Sequence, residues 1–371
     1  MNQPAYEVAD IIERNRKTLS SITANRWKLR TLYALANCRT SALGYHIDKC
    51  DNPDCNHIHI SYNSCRNRHC PKCQGHKREQ WIYDREKELL NVPYYHIVFT
   101  LPEQLNILCL QKTSLMYEIL FKVSWSVVKD FALNPKFIGG KTGMIGILHT
   151  WGQNLSFHPH LHCIVPGGGI TATGKWKHAR GKDKYLFPVK AMSKVFRARF
   201  VGEIRKLQNE ENKDLYQKLF TRQWVVYCKR PFFGPKQVVE YLGRYTHKIA
   251  ISNHRIKNTD NNTVRFSAKD YRKGGQKTEI SLSDREFIRR FSLHILPKGF
   301  TRIRHYGILS SAIKKLVIPT LQSIIGQLDI KPKRKTLYRC CPCCKTGQLI
   351  TLATYKPRGP PHKINLICAV S

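Results

Sequence analysis

Three histidines alternate in the stretch Phe157 to Val165 (FHPHLHCIV). The stretch reads as a strand stopped by Pro166 and three glycines. Side chains alternate between the two faces of a strand. One face therefore presents His158, His160, His162 and Ile164, and the other Phe157, Leu161, Cys163 and Val165. The apolar face is expected to pack on helices and the histidine face to lie open. Two or three imidazoles in a row make a divalent-metal site. Imidazole suits several first-row metals, and nearby oxygen ligands admit Mg²⁺ or Mn²⁺. His149 and His178 are further imidazoles close by in sequence. The bland alternative is a solvent-facing strand that happens to be rich in histidine. Pro159 fits a central strand poorly and points to an edge or a bulge.

Tyr241 and Tyr245 stand four apart in VVEYLGRYTHKIAI (238–251), so they share one face of a helix that Pro235 opens. Val238, Leu242 and Ile249 form the adjoining apolar stripe, and two tyrosines so placed are in most sequences simply edge-of-core residues. Gly243 costs that helix about 1 kcal/mol relative to Ala, which suggests a packing or functional reason for it. Beside a metal, a tyrosine oxygen can attack a DNA phosphodiester in line while the metal stabilises charge on the phosphoryl oxygens. A phosphotyrosine conserves the bond energy for rejoining, and two tyrosines serve two successive strand transfers.

Fourteen cysteines are unevenly placed, five between Cys50 and Cys73 and four between Cys340 and Cys344. No secretion signal opens the chain, so clustered cysteines suggest metal rather than disulfides. Cys50/Cys55 and Cys70/Cys73 are two close pairs with structural-zinc spacing, and Cys65 is a fifth candidate. His57, His59, His69 and His76 are alternative ligands. So small a module would take much of its folding energy from the metal. Its Arg66, Arg68, Lys72, Lys77 and Arg78 suit phosphate contact. Cys340-Cys341-Pro342-Cys343-Cys344 reads as half a zinc ribbon, with only His362 and Cys368 after it. Cys109, Cys163 and Cys228 read as buried thiols.

The elements that must position these residues follow from periodicity. Residues 1–45 read as helical, and 81–90 as a short amphipathic helix. Tyr94 to Leu101 is a buried strand and 103–131 one long helix. Met144 to Thr150 pairs with the histidine strand as an antiparallel hairpin. A basic helix follows at 190–219, a strand at Gln223 to Cys228, and then the tyrosine helix. Thr263 to Tyr271 and Lys277 to Leu282 flank Gly274-Gly275, a hairpin signal. This order predicts an α+β fold with a mainly antiparallel sheet. Residues 331–371 hold nine Lys/Arg and no acid, which reads as a basic, partly flexible tail.

Overall composition agrees. The chain has 371 residues, 63 Lys+Arg against 25 Asp+Glu, and a formal charge of +38. A charge of that size calls for an anionic partner, of which nucleic acid is the default. An anionic membrane fits less well, because no apolar run approaches the roughly 20 residues that span a bilayer. With 42% hydrophobic residues the chain can build ordinary cores.

The stretches YNSCRNRHCPKCQ (62–74), FHPHLHCIVPGGG (157–169), EYLGRYTHKIAISNHRI (240–256) and FIRRFSLHILPKGFTRIRHYG (287–307) resemble the insertion-sequence ninety-one family of bacterial transposases, the two-tyrosine HUH group. The resemblance covers residues 10–310. It implies an N-terminal zinc-binding domain (1–90), a ferredoxin-like HUH endonuclease domain (91–310) and a basic C-terminal region (311–371). It implies that His160 and His162 hold catalytic Mg²⁺ or Mn²⁺. The third ligand of such enzymes varies: His158 is nearest by alternation, with Gln, Asn or Glu as alternatives. Tyr241 and Tyr245 would be the nucleophiles, Tyr245 the more essential. The implied reaction cuts single-stranded DNA, leaving a 5′-phosphotyrosine and a free 3′-hydroxyl, in the bacterial cytoplasm at the nucleoid. A replication initiator or relaxase would use the same chemistry, and a non-catalytic zinc-dependent DNA-binding regulator is the rival of another class.

Overall fold

The computed structural model describes residues 4–73, 81–180, 186–207, 212–228, 249–270, 274–326, 339–357 and 363–364. Its helices are α1 (Val8–Arg14), α2 (Leu19–Ile22), α3 (Arg26–Ala36), α4 (Asn106–Gln111), α5 (Thr113–Leu133), α6 (Val189–Arg205), α7 (Lys213–Thr221), α8 (Asp284–Leu293) and α9 (Lys314–Ile325). Its strands are β1 (Tyr45–Cys50), β2 (Ile58–Tyr62), β3 (Tyr94–Thr100), β4 (Gly143–Trp151), β5 (Phe157–Pro166), β6 (Gly168–Ile170), β7 (Trp176–His178), β8 (Val226–Cys228), β9 (Ile256–Asn258), β10 (Thr263–Asp270), β11 (Gln276–Ser283), β12 (Ile303–Gly307), β13 (Leu349–Tyr355) and β14 (Lys363–Ile364). None of the described helices is long and apolar enough to cross a membrane. The fold is α+β. The chain divides into two compact units, each discontinuous in sequence.

The larger unit falls within Arg78–Ala250 and Leu296–Ile330. Its sheet has the order β12-β4-β5-β3-β8, with every neighbouring pair antiparallel. Taken along the chain, β3, helices, β4, β5, helices, β8 make a β-α-β-β-α-β succession whose sheet order is ferredoxin-like, with β12 added beside β4. Leu161, Cys163 and Val165 of β5 enter one buried cluster with Ile97 and Phe99 of β3 and the inner faces of α5 and α6. Phe99, Phe121, Phe196 and Phe200 are fully buried there and Trp224 nearly so. Each such side chain contributes about 1.5–3 kcal/mol by leaving water. On the opposite face Ile145, Ile147 and Ile164 pack with Leu90, Ile318 and Leu321. The face that carries the histidines is therefore covered at its Ile164 end and open only at its His158 end, not open throughout.

Two long helices expected from periodicity are each broken. Residues 103–131 begin with a turn of 3₁₀ helix (Glu103–Leu105), and Lys112 (φ −116°, ψ 49°) interrupts the helix between α4 and α5. The basic segment 190–219 forms α6 and α7, because the Asn212 side chain accepts from the Leu215 N–H (3.0 Å) and starts a new helix. The strand expected at 223–228 shortens to Val226–Cys228.

The smaller unit falls within Met1–Lys77, Ile251–Ile295 and Lys331–Ser371. Helix α3 is capped by the Asn25 side chain, which accepts from Trp27 and Lys28 N–H. Arg14 of α1 pairs with the buried Asp284 at the start of α8. Strands β10 and β11 form the expected hairpin, with Gly274 and Gly275 both at positive φ (64° and 83°) in its turn. A second sheet runs β14-β13-β1-β2. Residues 349–355, read from composition as part of a flexible tail, are thus the strand that pairs with β1, as their β-branched LITLATY pattern allows.

Candidate metal centres

Strand β5 is central in its sheet, and its pairing decides which histidines meet. Opposite His160 lies His149 of β4, and opposite His162 lies Ile147. Directly opposed residues share a face, so His149, His160 and His162 stand together. One ring nitrogen from each lies within 4.8 Å of the others. The ring centroids are 5.6 Å apart for His149/His160, 4.5 Å for His149/His162 and 4.8 Å for His160/His162.

The third imidazole thus comes from the neighbouring strand rather than from His158. A register shift between His149 and Trp151 sets two β5 residues, His158 and Pro159, against Thr150 alone. Such a bulge re-aims the side chains beside it. His158 is exposed, its ring is 5.2 Å from that of His160, and it lies outside the converging group.

Two of the three rings are held by their Nδ1 atoms. His160 Nδ1 donates to the His158 carbonyl oxygen (2.6 Å). His162 Nδ1 is 2.8 Å from Nε2 of His96, a β3 residue 3% exposed, and these two rings are nearly parallel at 12°. In both rings Nδ1 is engaged in a hydrogen bond, the kind of contact that orients metal-binding imidazoles. His149 stacks on Trp151 at 4.7 Å, and the Arg302 guanidinium lies 6.0 Å from the centre of the Trp151 ring. Three converging imidazole donors suit a divalent first-row ion.

Tyr241 and Tyr245 lie outside the described residues.

In the smaller unit the cysteines form two groups of four. Cys38, Cys65, Cys70 and Cys73 make one, and Cys50, Cys55, Cys341 and Cys344 the other. The pairs Cys50/Cys55 and Cys70/Cys73, expected to share one ion, therefore belong to different groups. The reason is the β1–β2 hairpin. Cys50 and Cys55 flank its tip, whereas Cys38 precedes β1 and Cys65 follows β2 at the open end. Five steps of strand separate the two ends by about 17 Å. In the first group Cys73 Sγ is 3.4 Å from Cys38 Sγ and 3.7 Å from Cys65 Sγ. Tetrahedral zinc with bonds of about 2.3 Å places sulfurs about 3.8 Å apart, so the spacing fits. Backbone N–H groups of Cys65 and Asn67 donate to Cys38 Sγ (3.4 Å) and Cys65 Sγ (3.5 Å). Mutual hydrogen bonds among the four thiols lower the pKa values of Cys38 and Cys73 and raise those of Cys65 and Cys70. Cys38 was not a sequence candidate, because 27 residues separate it from Cys65. Cys109 and Cys163 are buried thiols, as expected.

Comparison with known proteins places these features. A family model described as "Transposase zinc-binding domain" matches residues 10–101. A second, described as "Putative transposase", matches residues 143–316. "Putative transposase y4qJ" of Sinorhizobium fredii is 39% identical, over 98% of this chain and 99% of its own length. The "Transposase for insertion sequence element IS801" of Pseudomonas savastanoi pv. phaseolicola is 28% identical, over 84% of this chain and 77% of its own. No solved structure matches the chain.

Proposed function

The chain belongs to the insertion-sequence ninety-one family of transposases with an N-terminal zinc-binding domain, and from that premise we propose that it nicks and rejoins single-stranded DNA at insertion-sequence ends during rolling-circle transposition. The observation that carries the reading is the convergence of His149, His160 and His162 at one end of an antiparallel, ferredoxin-like sheet. These three residues would hold Mg²⁺ or Mn²⁺ through one ring nitrogen each. The ion, when bound, supplies Lewis-acid stabilisation of charge on the scissile phosphate.

The protein's own groups do the rest. The hydroxyl oxygen of Tyr241 or Tyr245 loses its proton and attacks phosphorus. An O–P bond forms to tyrosine, the bond to the 3′-oxygen breaks, and that oxygen takes up a proton to leave a 3′-hydroxyl. The 5′ side remains as a phosphotyrosine, and attack by a 3′-hydroxyl reverses the step and rejoins the strand. Arg302, whose guanidinium lies over Trp151, would neutralise a phosphate held near that ring. The charge of +38 holds the remaining backbone, and the zinc-binding domain presents part of it on a metal-fixed scaffold.

The test uses purified protein, Mn²⁺ and labelled single-stranded oligonucleotides from element ends. A covalent adduct should persist on a denaturing gel and be lost in Tyr241→Phe/Tyr245→Phe. Absence of an adduct with every end sequence, or its persistence in the double variant, overturns the mechanism.

A further inference from the structure

We propose that Cys50, Cys55, Cys341 and Cys344 form a second structural zinc site, which fastens the end of the chain to its beginning. The zinc-binding family match stops at residue 101, so it does not reach half of these ligands. The CCPCC run finds its missing pair at the end of β1 (Cys50) and in the loop that follows it (Cys55).

The sulfur geometry is that of a shared ion. Cys50 Sγ is 3.6 Å from Cys344 Sγ, and Cys55 Sγ is 3.7 Å from Cys341 Sγ. All four lie within 4.8 Å of one another. Zinc–thiolate tetrahedra require about 3.8 Å, whereas a disulfide would bring two sulfurs to about 2.05 Å.

The backbone around the sulfurs is built for the purpose. Cys341-Pro342-Cys343-Cys344 turns tightly, with the Lys345 N–H donating to the Cys341 carbonyl (3.0 Å) and Lys345 itself at φ 60°. The Cys341 N–H donates to the Gly347 carbonyl (2.8 Å), and the Gly347 N–H donates to Cys344 Sγ (3.2 Å). A side chain at Gly347 would collide with Cys50 Sγ, so this position must be glycine. Across the site the Gln348 N–H donates to Asp51 Oδ1 (2.6 Å) and the Asp51 N–H to the Gln348 carbonyl (2.9 Å). Pairing of Cys50 with Leu349 continues this clamp into the β1–β13 ladder. Among the described residues, the apolar cluster here has only Cys50, Cys341 and Leu349 as its buried members. So small a core needs a metal to be stable. The other two cysteines of the run are turned away: Cys343 is exposed, and Cys340 Sγ donates to the Lys345 carbonyl (2.9 Å).

The consequence is topological. Residues 339–357 complete the N-terminal domain instead of trailing from the nuclease, and the ion closes a loop of 286 residues between Cys55 and Cys341.

Metal analysis of the full-length protein, purified without chelator, tests this. Wild type should carry two zinc ions per chain, Cys341→Ser/Cys344→Ser one, Cys38→Ser/Cys73→Ser one, and Cys340→Ser/Cys343→Ser two. One zinc in wild type, or two in Cys341→Ser/Cys344→Ser, overturns the proposal. Should a serine variant fail to fold, native alkylation of wild type read by mass spectrometry decides. Cys343 should react at once, while Cys50, Cys55, Cys341 and Cys344 react only after a chelator removes zinc. Alkylation of Cys341 and Cys344 with the metal still bound, or loss of two hydrogens per cysteine pair, overturns it equally.

Discussion

His96 gives the most direct test of the histidine centre, because it should govern metal affinity without touching the metal. It is a buried imidazole whose Nε2 lies 2.8 Å from His162 Nδ1, with His162 itself 8% exposed. When His162 binds an ion through Nε2, its Nδ1 carries the proton and donates it to His96. His96→Phe keeps the ring and its packing but removes the acceptor. A buried N–H left unpaired costs about 1–3 kcal/mol. At about 1.4 kcal/mol per factor of ten, that is roughly a tenfold to hundredfold loss in affinity, the range typical for such supporting partners. The assay is a Mn²⁺ titration of the full-length protein, followed by the electron paramagnetic resonance of free Mn²⁺, with zinc content measured alongside. The dissociation constant should rise by that factor while zinc content stays at the wild-type value. His96→Gln, whose amide oxygen can accept, should recover most of the loss. Wild-type Mn²⁺ affinity in His96→Phe, or a Gln variant no better than Phe, would refute the reasoning.

Three further outcomes are expected. Burial, reinforced by Arg85 and Lys314, lowers the His305 imidazole from 6.5 to about 4. The unfolded chain therefore binds the proton first, and this contribution is fully present above pH 6.5 and lost as pH falls toward 4, by about 3 kcal/mol at most. The stability gap between wild type and His305→Phe, read from urea unfolding, should shift against wild type across that window, and a constant gap would count against it. Phe196→Ala removes a fully buried ring that meets Phe99 and Trp224 (centroids 4.9 and 5.4 Å), so unfolding free energy should fall by about 3–5 kcal/mol. A loss under 1 kcal/mol would deny its place in the core. Single-stranded DNA affinity should fall steeply with salt, the logarithmic slope being about 0.7 per phosphate neutralised. A flat salt response would deny that the net charge of +38 holds the backbone.

What the amino-acid sequence determined by itself was local. The period-two pattern of Phe157 to Pro166 set a strand with Leu161, Cys163 and Val165 on its buried face, and the structure has that strand and that face. The hairpin about Gly274-Gly275 was equally legible, because the turn residues lie beside the strands they join. Cysteine spacing announced metal for the same reason. Local pattern failed where partners from elsewhere intervened. Lys112 breaks a helix that periodicity reads as continuous, and the bulge at Pro159 sets His158 aside while pairing across the sheet delivers His149. His96 is invisible as a support for His162, since 66 residues separate them and only the β3–β5 ladder joins them. The division of cysteines into two groups was likewise decided by the tertiary structure, through a hairpin whose length parts Cys50 from Cys70 and through β13, whose pairing with β1 returns Cys341 and Cys344 to Cys50 and Cys55. Spacing along a chain constrains only side chains within a turn or two. Beyond that range the entropy of closing a loop grows only with the logarithm of its length, so a ligand 286 residues away costs about 2 kcal/mol more than one about 30 away, and packing selects it.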